Sequence, residues 1–171
     1  MKIFNNLLLA GLFFFGSSAF AQNEDARISM AKNVTLFFDE DGSLKPEMRK
    51  ITPEEFLEFE IRSVVEQLIH GSSRYSRTVP ETARLNRVFL DRQNVVYLDF
   101  NSEFVKDHPG GVACEIITLA SIARTIFANF DVNSIRILSG GKELKTLAGH
   151  IDLRLPFTRM EVQKWVAQSR K

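Results

Sequence analysis

Residues Gly110 to Phe130 constrain the fold more than any other stretch of the chain. Glu115, Thr118, Ser121, Thr125 and Asn129 recur every three or four positions, while Ile116, Ile117, Leu119, Ala120, Ile122, Ala123, Ile126 and Phe127 fill most of the remaining circumference. That spacing predicts a helix with a narrow wet face and an otherwise apolar surface. Roughly seven large apolar side chains at about 1.5–3 kcal/mol each give an upper limit of about 10–20 kcal/mol of burial before conformational entropy is subtracted. A helix of this kind belongs in the core. Pro109-Gly110-Gly111 sets its sharp start, and Asp131 with Asn133 turns the chain toward another strand.

The first residues describe a different segment. Lys2 precedes an apolar run from Leu7 to Phe15, then Gly16-Ser17-Ser18 and Ala19-Phe20-Ala21. A positive start, a short apolar middle and an Ala-x-Ala end predict a secretory signal peptide, residues 1–21, cut after Ala21. No cysteine stands at the cleavage site to carry a lipid anchor, and no second apolar run reads as a membrane span, so the mature chain is expected to be periplasmic or secreted. Removing residues 1–21 takes away one Lys and no acid, which leaves 21 basic and 21 acidic residues. A chain this close to neutral lacks the clustered positive charge that nucleic acid or an acidic membrane surface demands. The single cysteine, Cys114, excludes an intramolecular disulfide framework, so the domain must fold on packing.

Residues 22–32 read as a flexible leader. Val34-Thr35-Leu36-Phe37-Phe38 is β-branched and aromatic, hence a strand, and Asp39-Glu40-Asp41-Gly42-Ser43 is a turn. The same string opens like a calcium loop, but Lys50 stands where the twelfth-position Glu belongs, and no metal is expected. Leu44 to Ile51 is a mixed connection with room for one short strand. Thr52-Pro53-Glu54-Glu55 has the pattern of a helix N-terminus, with Thr52 as cap, and the helix runs to about Ile69 with Phe56, Leu57, Phe59, Ile61, Val64, Val65 and Leu68 on its inner side. Ser72 to Pro80 is a polar loop with the densest basic cluster. Ala83 to Leu90 and Val95 to Phe100 form a hairpin around Asp91–Asn94, with one slip in the alternation. Ser134 to Leu138 is a strand, Leu147 to Leu153 an extended segment, and Arg159 to Gln168 a short helix. The whole reads as α+β: a small mixed β-sheet with two main helices packed on one face in the order β-α-β-β-α-β, and a short C-terminal helix.

Several blocks together, Val34 to Leu44, Tyr97-Leu98-Asp99-Phe100-Asn101, the helix with Thr125, Ile135 to Leu138 with Gly141-Lys142, and Leu147-Ala148-Gly149-His150-Ile151-Asp152-Leu153 before Pro156, resemble the GerM domain of sporulation and germination proteins. The resemblance covers residues 33–157 and leaves 158–171 as a helical appendage. It implies an extracytoplasmic, non-catalytic domain, related in fold to the ring-building motifs of secretion-type assemblies and acting through protein contacts. It supplies no catalytic residues and no cofactor. The chain carries one such domain where the sporulation member has two.

Candidate contact residues follow from the physics of exposed surfaces. An edge strand recruits other chains through its free backbone, which points to Val34 and Leu36, and the basic loop points to Arg74, Tyr75 and Arg77. The expected partner is a cell-envelope protein or a second copy of the chain. An enzymatic alternative uses Cys114 near a helix N-terminus, with His150 and Asp152 two apart on an extended segment, as a Cys-His hydrolase acting on an envelope peptide or ester. A third alternative is a module that binds cell-wall glycan. His70, His108 and His150 are too scattered to make a metal site by spacing.

Overall fold

The computed structural model describes residues 31–168. The signal-peptide reading falls outside them. Strand β1 (Lys32–Glu40) pairs antiparallel with β2 (Ser43–Ile51) through a two-residue turn at Asp41 and Gly42, whose φ angles of 51° and 78° suit the primed hairpin turns. Alternation along β1 buries Val34, Leu36 and Phe38. The nine-residue β2 is longer than the short strand its sequence suggests, because Pro46 and Lys-rich composition hide it. Pro46 lies opposite Phe37, whose polar backbone atoms face away from β2, so the proline nitrogen points out of the hairpin and no ladder bond is lost.

Helix α1 (Leu57–His70) packs against the hairpin and against β3 (Leu85–Leu90). It begins four residues later than the Thr52 cap predicts, with Phe56 in the N-cap place. Strand pairing continues to Ile51, opposite Lys32, and residues 52–56 are consumed in reversing the chain from strand to helix. Phe56 becomes the N-cap with no side-chain cap, and Phe56, Leu57 and Phe59, expected inside, are exposed. The C-terminus is tightly closed. Gly71, at φ 89°, donates to Leu68, and two arginines from elsewhere satisfy the last carbonyls: Arg49 reaches Gln67 and Gly71, and Arg77 reaches Ile69.

The second sheet is four-stranded, in the order β3-β4-β5-β6. Strand β4 (Val95–Phe100) pairs antiparallel with β3, with the register slip between Leu85 and Arg87, and parallel with β5 (Ser134–Ser139). The two-residue β6 (Lys142–Glu143) closes the sheet. The parallel crossover carries the four-residue helix α2 (Glu103–Lys106) and helix α3 (Val112–Asn129). The α+β class therefore stands, with the strands divided between a hairpin and a mixed sheet, and helix α4 (Arg159–Gln168) packed on α3. Leu147 to Leu153 forms no strand. Only Phe157, further on, exchanges backbone hydrogen bonds with Ile135 of β5.

Helix α3 is the centre of the fold. Eleven of its residues are buried, and it touches β1, α1 and α4. By length and composition it is apolar enough to cross a membrane, against the expectation that no second apolar run is, but its burial within the fold is that of a core helix. Its polar stripe is where expectation and structure part. Glu115, Thr118, Ser121 and Thr125 are all buried.

Candidate functional site

The buried stripe of α3 closes the free edge of β1. Asn129 accepts from the Thr35 N–H at 2.8 Å and donates to the Thr35 carbonyl at 2.7 Å; Thr125 Oγ1 accepts from the Phe37 N–H at 3.1 Å, and Ser121 Oγ donates to the Phe37 carbonyl at 2.6 Å. The match has a simple metric cause. Four residues of helix rise about 6.0 Å, and two residues of strand rise roughly 6.6–6.8 Å, so the side chains at 129 and 125 stay in step with Thr35 and Phe37, and Ser121 shares Phe37 with Thr125. Asp39 continues the edge by exchanging two backbone hydrogen bonds with Ser76. The expectation that β1 offers an open edge through Val34 and Leu36 is therefore corrected. One edge holds β2, the other holds α3, and both side chains are in the core.

At the start of α3, Glu115 organises the Leu147–Leu153 segment. Its carboxylate is 0% exposed and accepts from the backbone N–H groups of Leu147 (3.0 Å), Ala148 (2.9 Å) and His150 (2.9 Å), with His150 Nδ1 at 3.0 Å. Burial alone would raise its pKa, but the converging N–H groups of Ala148, His150 and Ile151 and the His150 ring outweigh burial and hold it below the ordinary value. A buried carboxylate paired with backbone donors acts as a clamp on this loop. Sequence periodicity alone placed Glu115 on a wet face and missed this role.

The partners proposed for Cys114 are engaged elsewhere. Cys114 is exposed, not a packed core residue. His150 is bound to Glu115 rather than to Asp152, and the exposed Asp152 pairs with Arg154 at 2.6 Å, whose guanidinium lowers its pKa to about 2. The spacing of Cys114, His150 and Asp152 thus produces no Cys-His-Asp arrangement. The histidine associated with the Cys114 turn is His108. Its Nδ1 accepts from the Gly110 N–H, so Nε2 carries the proton and donates to Thr118 Oγ1, which in turn donates to the Thr78 carbonyl. Burial keeps the His108 pKa low, against the pull of Glu115 and the Cys114 carbonyl, which favours this neutral form. Among the described residues no group of three or more His, Cys, Asp or Glu side chains could hold a metal ion.

The basic loop divides into two roles. Arg77 caps α1 through the Ile69 carbonyl and lies 3.9 Å from Glu81, so it is a structural residue. Arg74 is exposed and sits over the Tyr75 ring at 5.3 Å. Ser72 ties the loop to the hairpin by donating to Glu47 and accepting from the Arg74 and Tyr75 N–H groups.

Two further surfaces went unread in the sequence. At the start of α1, Phe56 and Phe59 are 55% and 54% exposed and meet edge to face at 5.9 Å, beside the half-exposed Leu57. Between β1, α3 and α4, a groove of about 270 Å³ is lined by Phe37, Arg124, Phe127, Ala128, Arg159, Val162 and Gln163. The two guanidiniums lie over aromatic rings, Arg124 at 6.0 Å from Phe37 and Arg159 at 4.7 Å from Phe127.

The fold has solved counterparts. A protein described as a lipoprotein from Clostridium perfringens is 19% identical, superposes with a TM-score of 0.58, and the match covers 81% of this chain and 94% of that one. The first GerMN domain of the sporulation protein GerM from Bacillus subtilis is 16% identical with a TM-score of 0.61, covering 76% and 98%. The tandem GerMN domains of the same protein give 18% and 0.58, with the chain spanning 46% of their length. No curated protein sequence matches the chain. A sequence profile described as sporulation and spore germination matches residues 35–145, from β1 through the four-stranded sheet and ending just before the segment that Glu115 clamps, and on that match the chain belongs to the Germane family.

Proposed function

We propose that this chain is an exported, non-catalytic domain that works by protein–protein contacts at the cell envelope. One observation carries the reading: the histidine and carboxylates that a Cys114 hydrolase would need are committed to structural partners, whereas large apolar side chains stand in solvent. Glu115 and His150 hold a loop, Asp152 holds Arg154, and Phe56, Leu57 and Phe59 are exposed together. Clustered exposed aromatics are characteristic of protein-binding patches. The Lys2 to Ala21 segment supports export, as does the likeness to a lipoprotein and to a sporulation protein. Arg74 with Tyr75 is a second candidate contact.

The test is site-specific photo-crosslinking in cells expressing the full chain with its own N-terminus. A photoreactive residue at Phe56 should yield a discrete protein adduct in the extracytoplasmic fraction, with the chain shortened by residues 1–21. Retention of the full-length chain in the cytoplasm, or no adduct from Phe56, Phe59 or Arg74, would refute the reading.

A further inference from the structure

We infer that the Glu54–Phe59 segment of one copy of this chain seats in the Arg124/Arg159 groove of a second copy. The inference rests on the reading above, that the domain works by protein contacts, and names one partner. The segment Glu54-Glu55-Phe56-Leu57-Glu58-Phe59 joins three carboxylates to an exposed aromatic pair, and among the described residues none of the three is ion-paired. The groove offers the inverse. Phe37, Phe127, Ala128 and Val162 make an apolar floor, and no acidic residue lines it. Neither Arg124 nor Arg159 is paired with a carboxylate among the described residues; the hydrogen bond Arg159 makes is a 3.4 Å contact to the Phe130 carbonyl.

Size and chemistry both fit this occupant. At about 270 Å³, the groove lies near the lower limit of roughly 300 Å³ for small-ligand pockets, which suits a pair of side chains. An arginine already resting on an aromatic face keeps its forked donors available for a carboxylate and loses little freedom when one arrives. A membrane surface is a poorer fit, because two cations on a nearly neutral chain fall short of a polybasic patch. Near-neutral net charge also removes the long-range repulsion that would oppose self-association. Within one copy, no hydrogen bond, ion pair or ring contact joins the segment to the groove, so each half is free to meet its complement on another molecule.

Sedimentation velocity of the chain from residue 22 onward, over a range of concentrations and salt, tests this. The weight-average mass should rise with concentration and fall with added salt. Arg124→Glu with Arg159→Glu should weaken association by at least about tenfold, as should Glu54→Lys with Glu55→Lys and Glu58→Lys. Mixing the two charge-reversed chains should restore it, because each then carries the complement of the other. Circular dichroism checks folding, and Arg124→Gln with Arg159→Gln serves if the reversal unfolds the chain. A monomer at every concentration, or association that neither reversal weakens, would overturn the inference. If the chain is monomeric while Phe56 still crosslinks to another protein, this inference falls and the binding-domain reading stands.

Discussion

Removing the Glu115 carboxylate should unfasten the Leu147–Leu153 segment at a cost that can be set out from its contacts. The fully buried side chain accepts three backbone N–H groups at 2.9–3.0 Å and faces His150 Nδ1 at 3.0 Å. Hydrogen bonds to a charged group contribute roughly 1.5–3 kcal/mol each, and the cost of burying the carboxylate offsets part of the sum. Glu115→Ala, which leaves all three donors unpaired, should therefore cost about 3–5 kcal/mol. Glu115→Gln keeps one acceptor oxygen but turns an NH₂ toward N–H donors, and should cost about 1–3 kcal/mol. Against a domain stability of about 5–15 kcal/mol either loss is measurable. Urea unfolding gives the values, and hydrogen exchange of the Leu147, Ala148 and His150 amides localises them. The pH dependence has a definite sign. Because the folded pKa lies below the ordinary value for a glutamate, the unfolded chain binds the proton first as pH falls. The stabilisation is thus complete above that value and drains away as pH drops through the folded pKa, and Glu115→Gln should remove this component. A Glu115→Gln chain within about 0.5 kcal/mol of the parent, with unchanged exchange at all three amides, would refute the reasoning.

Asn129→Ala should cost about 2–3 kcal/mol by leaving both polar backbone groups of Thr35 without partners, whereas Asn133→Ala, whose side chain is exposed at a turn, should cost much less; urea midpoints compare them. Gly71→Ala should destabilise by more than about 1 kcal/mol, since φ there is 89° and the new Cβ would stand 3.0 Å from the Arg77 guanidinium, and loss of helicity on heating will show it. Cys114 should be alkylated in the native chain without denaturant, and Cys114→Ala should retain whatever partner the parent captures by crosslinking; a lost partner would move the contact surface to the start of α3.

What the sequence made legible was whatever depends on local periodicity and turn chemistry. The 18-residue α3, the Asp91–Asn94 hairpin with its slip, and helix Arg159–Gln168 all lie where their patterns place them. The errors share one cause, which is that a residue's neighbour in space is not in its pattern. Polar residues at 115, 118, 121, 125 and 129 mark one helical face whether that face meets water or a strand edge, and only tertiary structure supplies β1 as the partner. The Thr52 capping pattern was overruled because β2 runs to Ile51 and the chain needs the next residues to turn. That single displacement carried Phe56 and Phe59 from the expected core to the surface. The Gly-His-Ile-Asp-Leu tail was visible as a family signature, but its partner Glu115 lies 35 residues away from His150 in the chain.

The account turns on whether α3 truly substitutes for a strand along β1, since that closure removes the edge as a docking site and sends partners elsewhere. Native-state hydrogen exchange of the Thr35 and Phe37 amides is the direct measurement. Both should be protected to the level of global unfolding, as in a central strand, and Asn129→Ala should release Thr35 selectively. Exchange of both amides at the rate of an open edge strand in the parent chain would contradict the account.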